Sequence, residues 1–174
     1  MTDKFLYTEL ERLISNYCNA RKSWEGWCFL SSFDIQNQDV NFRDFVDKND
    51  FLIHCRYILF KDINIELYKI LKDSNSSNDN IFKLLRKQNQ ENSNELLKKI
   101  SELKNEINTI LNVRDKFYAH LDKDYNSFLL KFELNNYYKI FELIELGIIA
   151  LGGEKKLKEV LNSIPSRNNF SINL

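Results

Sequence analysis

The sequence predicts an all-α fold, and two observations carry that prediction. The chain has 174 residues with only four Gly and one Pro. Sandwiches and barrels draw on those residues for their many tight turns, so their scarcity points to long helices and few loops. In addition, apolar residues recur at three- and four-residue steps along most of the chain, the period of one helix face. The length suits a single domain with a real core, and 43% hydrophobic against 29% charged residues is ordinary for a globular protein.

The first helix is read over Phe5 to Cys28, where Leu6, Leu10, Leu13, Ile14, Tyr17, Cys18, Trp24 and Cys28 form one stripe. Thr2 or Asp3 is expected to cap it, and Gly26 to kink or end it. The aromatic-rich stretch Trp27 to Phe45 gives no clear period; it reads as a helix end, a loop and a short helical turn. A second helix spans Asp50 to Lys72, with Asp50 as N-cap. Its expected inner face is Phe51, Cys55, Ile58, Leu59, Asp62, Ile65 and Leu67 to Leu71. The polar loop Asp73 to Asn80 ends it.

Ile81 to Lys87 reads as a short helical turn, followed by the polar run Gln88 to Asn94. From Glu95, the residues Leu96, Ile100, Leu103, Ile107 and Ile110 step by four and three in a coiled-coil-like seam that feeds directly into Arg114. Leu121 to Asn126 is loop-like, and Phe128 to Leu134 is read as helix entry or an extended connector. A last long helix begins at Asn135 or Asn136, with Tyr137, Ile140, Phe141, Ile144, Ile148 and Leu151 inward, and Gly152-Gly153 suits a left-handed cap. Glu154 to Leu161 is a short amphipathic helix. Residues 1–164 are thus one domain, and residues 165–174 read as a C-terminal tail.

Composition excludes several function classes. Lys plus Arg and Asp plus Glu each total 25, a formal net charge of zero, so bulk attraction to a polyanion is not the design, while a local basic patch stays open. Cys18, Cys28 and Cys55 form no CxxC pair and read as buried, reduced thiols; no zinc-ligand spacing is recognisable. The charged N-terminus carries no export signal, and the apolar stretch Leu143 to Leu151 is too short to span a bilayer, so no membrane partner and a cytoplasmic location are expected. No glycine-rich phosphate loop and no spaced carboxylate cluster is present, so neither a nucleotide cofactor nor a metal is expected.

Two histidines remain. His54 lies among core-type residues and reads as a hydrogen-bonded structural histidine. His120 instead closes the polar cluster Arg114-Asp115-Lys116-Phe117-Tyr118-Ala119-His120. Cationic side chains meeting a helix C-terminus would explain part of it, but not its density. On a continuous helix Arg114 and His120 point roughly 120° apart, Arg114 sharing a face with Tyr118 and His120 with Lys116. Two copies around a symmetry axis would bring such side chains to one ligand.

Arg114-x5-His120 resembles the R-x4-6-H signature of the HEPN superfamily, in which a polar residue commonly follows the arginine; here it is Asp115. The wording Arg-Asp-Lys-Phe-Tyr-Ala-His between two long helices looks like HEPN domains of the abortive-infection type. The resemblance implies a HEPN-like up-and-down helical bundle that forms a homodimer through the Arg114–His120 region, both motifs sharing a cleft. It also implies a metal-independent endoribonuclease, often the toxin of a toxin–antitoxin or antiphage system with a protein antitoxin; other members are silent modules binding RNA, nucleotide or protein. The residues suit that chemistry. Histidine titrates near neutrality and serves as acid or base, and arginine stays protonated against a phosphorane-like transition state. Arg114, His120 and Asp115 are the expected catalytic residues, Asp115 orienting Arg114 or His120. Tyr118, Lys116 and Lys123 are the expected substrate-binding residues, with Tyr118 stacking on a base or packing at the dimer interface. A purely structural helical dimer built on the Leu96–Ile110 seam is the remaining alternative.

Overall fold

The computed structural model describes the backbone of residues 2–32, 40–74, 80–88, 90–119 and 134–169, and side chains within 8–32, 41–74, 80–88, 90–114 and 134–169. Among the described residues every regular element is helical: α1 (Thr2–Leu30), α2 (Val40–Asp47), α3 (Asp50–Leu71), α4 (Ile81–Gln88), α5 (Glu91–Glu102), α6 (Lys104–Ala119), α7 (Leu134–Ala150), α8 (Glu154–Ser163) and a 3₁₀ turn (Arg167–Asn169). Among the described residues, no helix is long and apolar enough to cross a membrane.

The bundle is organised around α1. Ser23 meets Asp62, Gly26 lies against Leu59 and Trp27 against Phe60, so α1 and α3 run antiparallel. Trp24 stacks on Tyr137, Arg21 lies over Phe141 and Tyr17 reaches Glu145, so α1 and α7 are antiparallel as well. Gly26 therefore does not end the first helix, which continues to Leu30; a Cβ there would meet Leu59 Cδ1 at 3.2 Å, so the glycine allows the close approach of α3. The core centres on Trp24, whose ring stacks on that of Tyr137 at 5.4 Å and lies within 5.5 Å of Trp27 and Phe141. Tyr137 is fully buried, yet its hydroxyl is satisfied: it donates to Asn64 Oδ1 at 2.7 Å, while Asn64 Nδ2 donates to the Phe60 carbonyl at 2.8 Å.

Several sequence expectations are corrected here. The α3 N-cap is Asn49, whose Oδ1 accepts from the Leu52 amide at 3.2 Å, with Asp50 in the first turn. The buried face of α3 is Phe60, Ile63, Leu67, Ile70 and Leu71, whereas Phe51 is 71% and Ile58 45% exposed. This helix carries apolar residues on every side, so periodicity could not choose among its faces. His54 is exposed and stacks on Tyr57 at 6.3 Å, not packed in the core. Cys28 is buried but Cys18 and Cys55 are only half-buried; all three are free thiols.

The seam from Leu96 to Ile110 is also not one helix. Leu103 leaves helical geometry at φ −93°, ψ 19°, and the chain restarts as α6. Leu96, Ile100, Ile107 and Ile110 are all buried, but α5 packs on α4 and α7 while α6 packs on α3. A break lets the two halves follow different neighbours. The polar run before the seam forms a bonded corner: Ser93 Oγ donates to Gln88 Oε1 at 2.9 Å, and Gln88 Nε2 caps the Ala150 carbonyl at 3.0 Å.

At the end of α7, Gly153 N bonds Ile148 O at 2.8 Å and Gly152 N bonds Ile149 O at 2.9 Å, with Gly152 at φ +82°. This is the left-handed cap read from the glycine pair. Beyond α8, Arg167 turns back onto α1. Its Nε and Nη2 donate to Glu25 at 3.0 and 3.3 Å, its amide adds a bond at 3.1 Å, and Nη1 donates to the Tyr138 hydroxyl at 3.1 Å. Burial works against the Arg167 charge, but the bonds to Glu25 and Tyr138 hold its pKa above the ordinary arginine value.

Candidate functional site

The site predicted from sequence lies at the end of α6. That helix runs through Ala119, so the backbone of Asp115, Lys116 and Tyr118 is helical. Their side chains, and His120 and Lys123 altogether, lie outside the described residues, as do the predicted loop at 121–126 and nearly all of the connector at 128–134. Arg114 is described. It is half-buried, and its guanidinium carbon sits 4.3 Å from the centroid of the Tyr68 ring.

That contact ties α6 to α3. Tyr68 lies in the last turn of α3, whose inner residues Ile63, Leu67, Ile70 and Leu71 are buried. Burial of Ile107 and Ile110 on α6 seats that helix against α3, and Arg114, one turn beyond Ile110, is carried to the end of α3. A guanidinium at this distance is attracted by the ring quadrupole and is more weakly hydrated than an ammonium, so the contact favours arginine over lysine.

A second cation shares the ring. Lys72, the C-cap of α3, places Nζ 5.2 Å from the same centroid, and its amide donates to the Tyr68 carbonyl at 2.9 Å. Among the described residues, two acids near this locus are paired: Glu66 with Lys69, and Asp73 with Arg86. Two cations thus share one ring on a chain of zero formal net charge. Sequence reasoning missed Tyr68 and Lys72. Tyr68 sits within the apolar run Ile65 to Leu71, and Lys72 reads as an ordinary helix-end lysine.

Elsewhere, a cleft of about 330 Å³ is lined by Arg21, Glu25, Glu145, Leu161, Ile164, Pro165 and Ser166. Its charged groups are engaged in holding the fold: Arg21 with Glu25 at 3.5 Å and over Phe141 at 5.0 Å, Glu25 with Arg167, and Glu145 with the Tyr17 hydroxyl. Burial, with the Glu145 bond adding to it and Arg21 opposing it, pushes the Tyr17 phenol well above its usual range. Among the described residues, no group of three His, Cys, Asp or Glu side chains is arranged to hold a metal.

Comparison with known proteins adds one finding. The family described as AbiU2, a HEPN family, matches residues 2–148, a span that contains all of α1 to α6, the Arg114–His120 segment and most of α7. No curated protein and no solved structure matches the chain.

Proposed function

The chain belongs to the AbiU2 family of HEPN domains, an abortive-infection type, and on that premise we propose that it is a metal-independent endoribonuclease acting as a toxin or antiphage effector. The observation that carries this reading is Arg114, half-buried over Tyr68 on a HEPN chain that also bears His120 six residues on. In the proposed reaction a histidine takes the proton of a ribose 2′-hydroxyl, and O2′ attacks the adjacent phosphorus. The bond from phosphorus to the 5′-oxygen breaks, a second histidine protonates that oxygen, and a 2′,3′-cyclic phosphate remains. Arg114 binds the phosphate and stabilises the extra charge of the transition state. Two histidines are needed where one chain places one in the motif, so the site is composed of two protomers, each supplying His120. Asp115 orients Arg114 or His120, and Tyr118, Lys116 and Lys123 hold the RNA near the cleft.

The test compares wild type, Arg114→Ala and His120→Ala on structured and single-stranded RNA in EDTA. Cleavage by wild type alone, leaving 2′,3′-cyclic ends, is the expected result. Cleavage that survives both substitutions would remove the proposal. Wild type that binds RNA but cuts none would make this a binding module built on the same residues.

A further inference from the structure

We propose that Tyr68 and Lys72, at the end of α3, complete the Arg114 site: Tyr68 is the positioning residue for the arginine, and Lys72 is a second phosphate-binding cation. The inference rests on reading Arg114 as an RNA phosphate contact, and it adds a helix that the motif does not include.

The geometry is specific. Arg114 Cζ and Lys72 Nζ lie 4.3 and 5.2 Å from one ring centroid. Both distances share that centroid, so the two charges stand within about 10 Å of each other, roughly a Debye length at physiological salt. Like charges at that spacing repel, and a bound polyanion turns the repulsion into attraction to both. The ring is what gathers them. Attraction to the π face holds the guanidinium at a set place beside the end of α3. Lys72 projects from a fixed point, because its amide closes the last turn of α3 onto the Tyr68 carbonyl. Among the described residues, Glu66 pairs with Lys69 and Asp73 with Arg86. A lysine at a helix end also answers that helix's carbonyl dipole. A nucleic-acid readout, not stability, therefore has to decide its role.

The experiment uses the full chain and a short, mixed-sequence 2′-O-methyl oligoribonucleotide, which lacks the attacking hydroxyl and reports binding without cleavage. Tyr68→Leu is expected to weaken binding by about threefold to thirtyfold, the range of one cation–π contact. Tyr68→Phe, which keeps the ring, should bind within about twofold of wild type. Lys72→Gln should weaken binding and flatten the plot of log affinity against log salt by about 0.7, the signature of one lost single-strand phosphate contact. Equal binding by wild type, Tyr68→Leu and Lys72→Gln would overturn the proposal. So would Tyr68→Phe as weak as Tyr68→Leu, Lys72→Gln with an unchanged slope, or no binding of the probe by wild type. If wild type shows the expected binding pattern yet cuts no RNA, the ribonuclease reading fails and this inference stands. If wild type cuts RNA while both variants bind and cut as it does, only this inference fails.

Discussion

Replacing Arg167 with alanine perturbs a buried polar lock between the 3₁₀ turn and α1. Glu25 and Arg167 expose only 8% and 11% of their side chains, and three hydrogen bonds join Arg167 to the Glu25 carboxylate. Removing one partner of a buried pair costs about 3–5 kcal/mol, because a charge is left in a poorly solvated place. Arg21 stays 3.5 Å from Glu25 and still opposes that charge, so the lower end, about 3 kcal/mol, is the expected loss. With a urea dependence of about 2 kcal/mol per molar, the unfolding midpoint should fall by about 1.5 M at unchanged slope. The double variant Glu25→Leu with Arg167→Met should recover part of that loss, since the Glu25 charge is no longer stranded, although Arg21 then loses its carboxylate. A shift below about 0.5 kcal/mol for Arg167→Ala, within the scatter of ordinary surface substitutions, would refute the lock.

Tyr137 gives a pH prediction. Burial raises its pKa in the folded chain, so its contribution is fully present below about pH 10 and is lost as pH climbs from there toward the folded value. Urea midpoints should therefore fall above about pH 10, and fall less steeply in Tyr137→Phe, which at neutral pH loses about 1–3 kcal/mol by leaving Asn64 Oδ1 without its donor. Gly152→Ala, forced to φ +82°, should cost about 1 kcal/mol and lower Tm by about 2–4 °C in a thermal melt. Phe60→Ala should cost about 3–5 kcal/mol, whereas Phe51→Ala, at a position 71% exposed, should stay within about 0.5 kcal/mol; comparable losses would mean the wrong face of α3 is buried.

What could be read from sequence follows the range of the interactions. The α7 cap was legible because Gly152-Gly153 satisfies its own helix end through local bonds. The stripe Leu10, Leu13, Ile14, Tyr17 and Trp24 was legible because its three- and four-residue steps keep it on one side of α1, and all five are buried, although Cys18 of the same stripe is only half-buried. On α3 the same method chose Phe51 and Ile58 and misplaced His54, because apolar residues surround that helix and only its neighbours select the inner face. The break at Leu103 was hidden because the seam residues are buried on both sides of it, although α5 and α6 pack on different partners. The stretch after Pro165 has the composition of a tail, and the burial of Arg167 within it depends on Glu25, far away in sequence. Arg114 was singled out by residue type and spacing. Its seat on Tyr68, with Lys72 alongside, is tertiary and had no local signal.

The composite site is tested most directly by titrating His120→Ala protein into wild type at constant total concentration, with time for subunits to exchange, and following RNA cleavage in EDTA. If each dimer needs both histidines, activity follows the square of the wild-type fraction, and an equal mixture retains about a quarter of the wild-type rate. A rate that falls in direct proportion to the wild-type fraction would show that each chain cuts alone, and would contradict a site shared between two protomers.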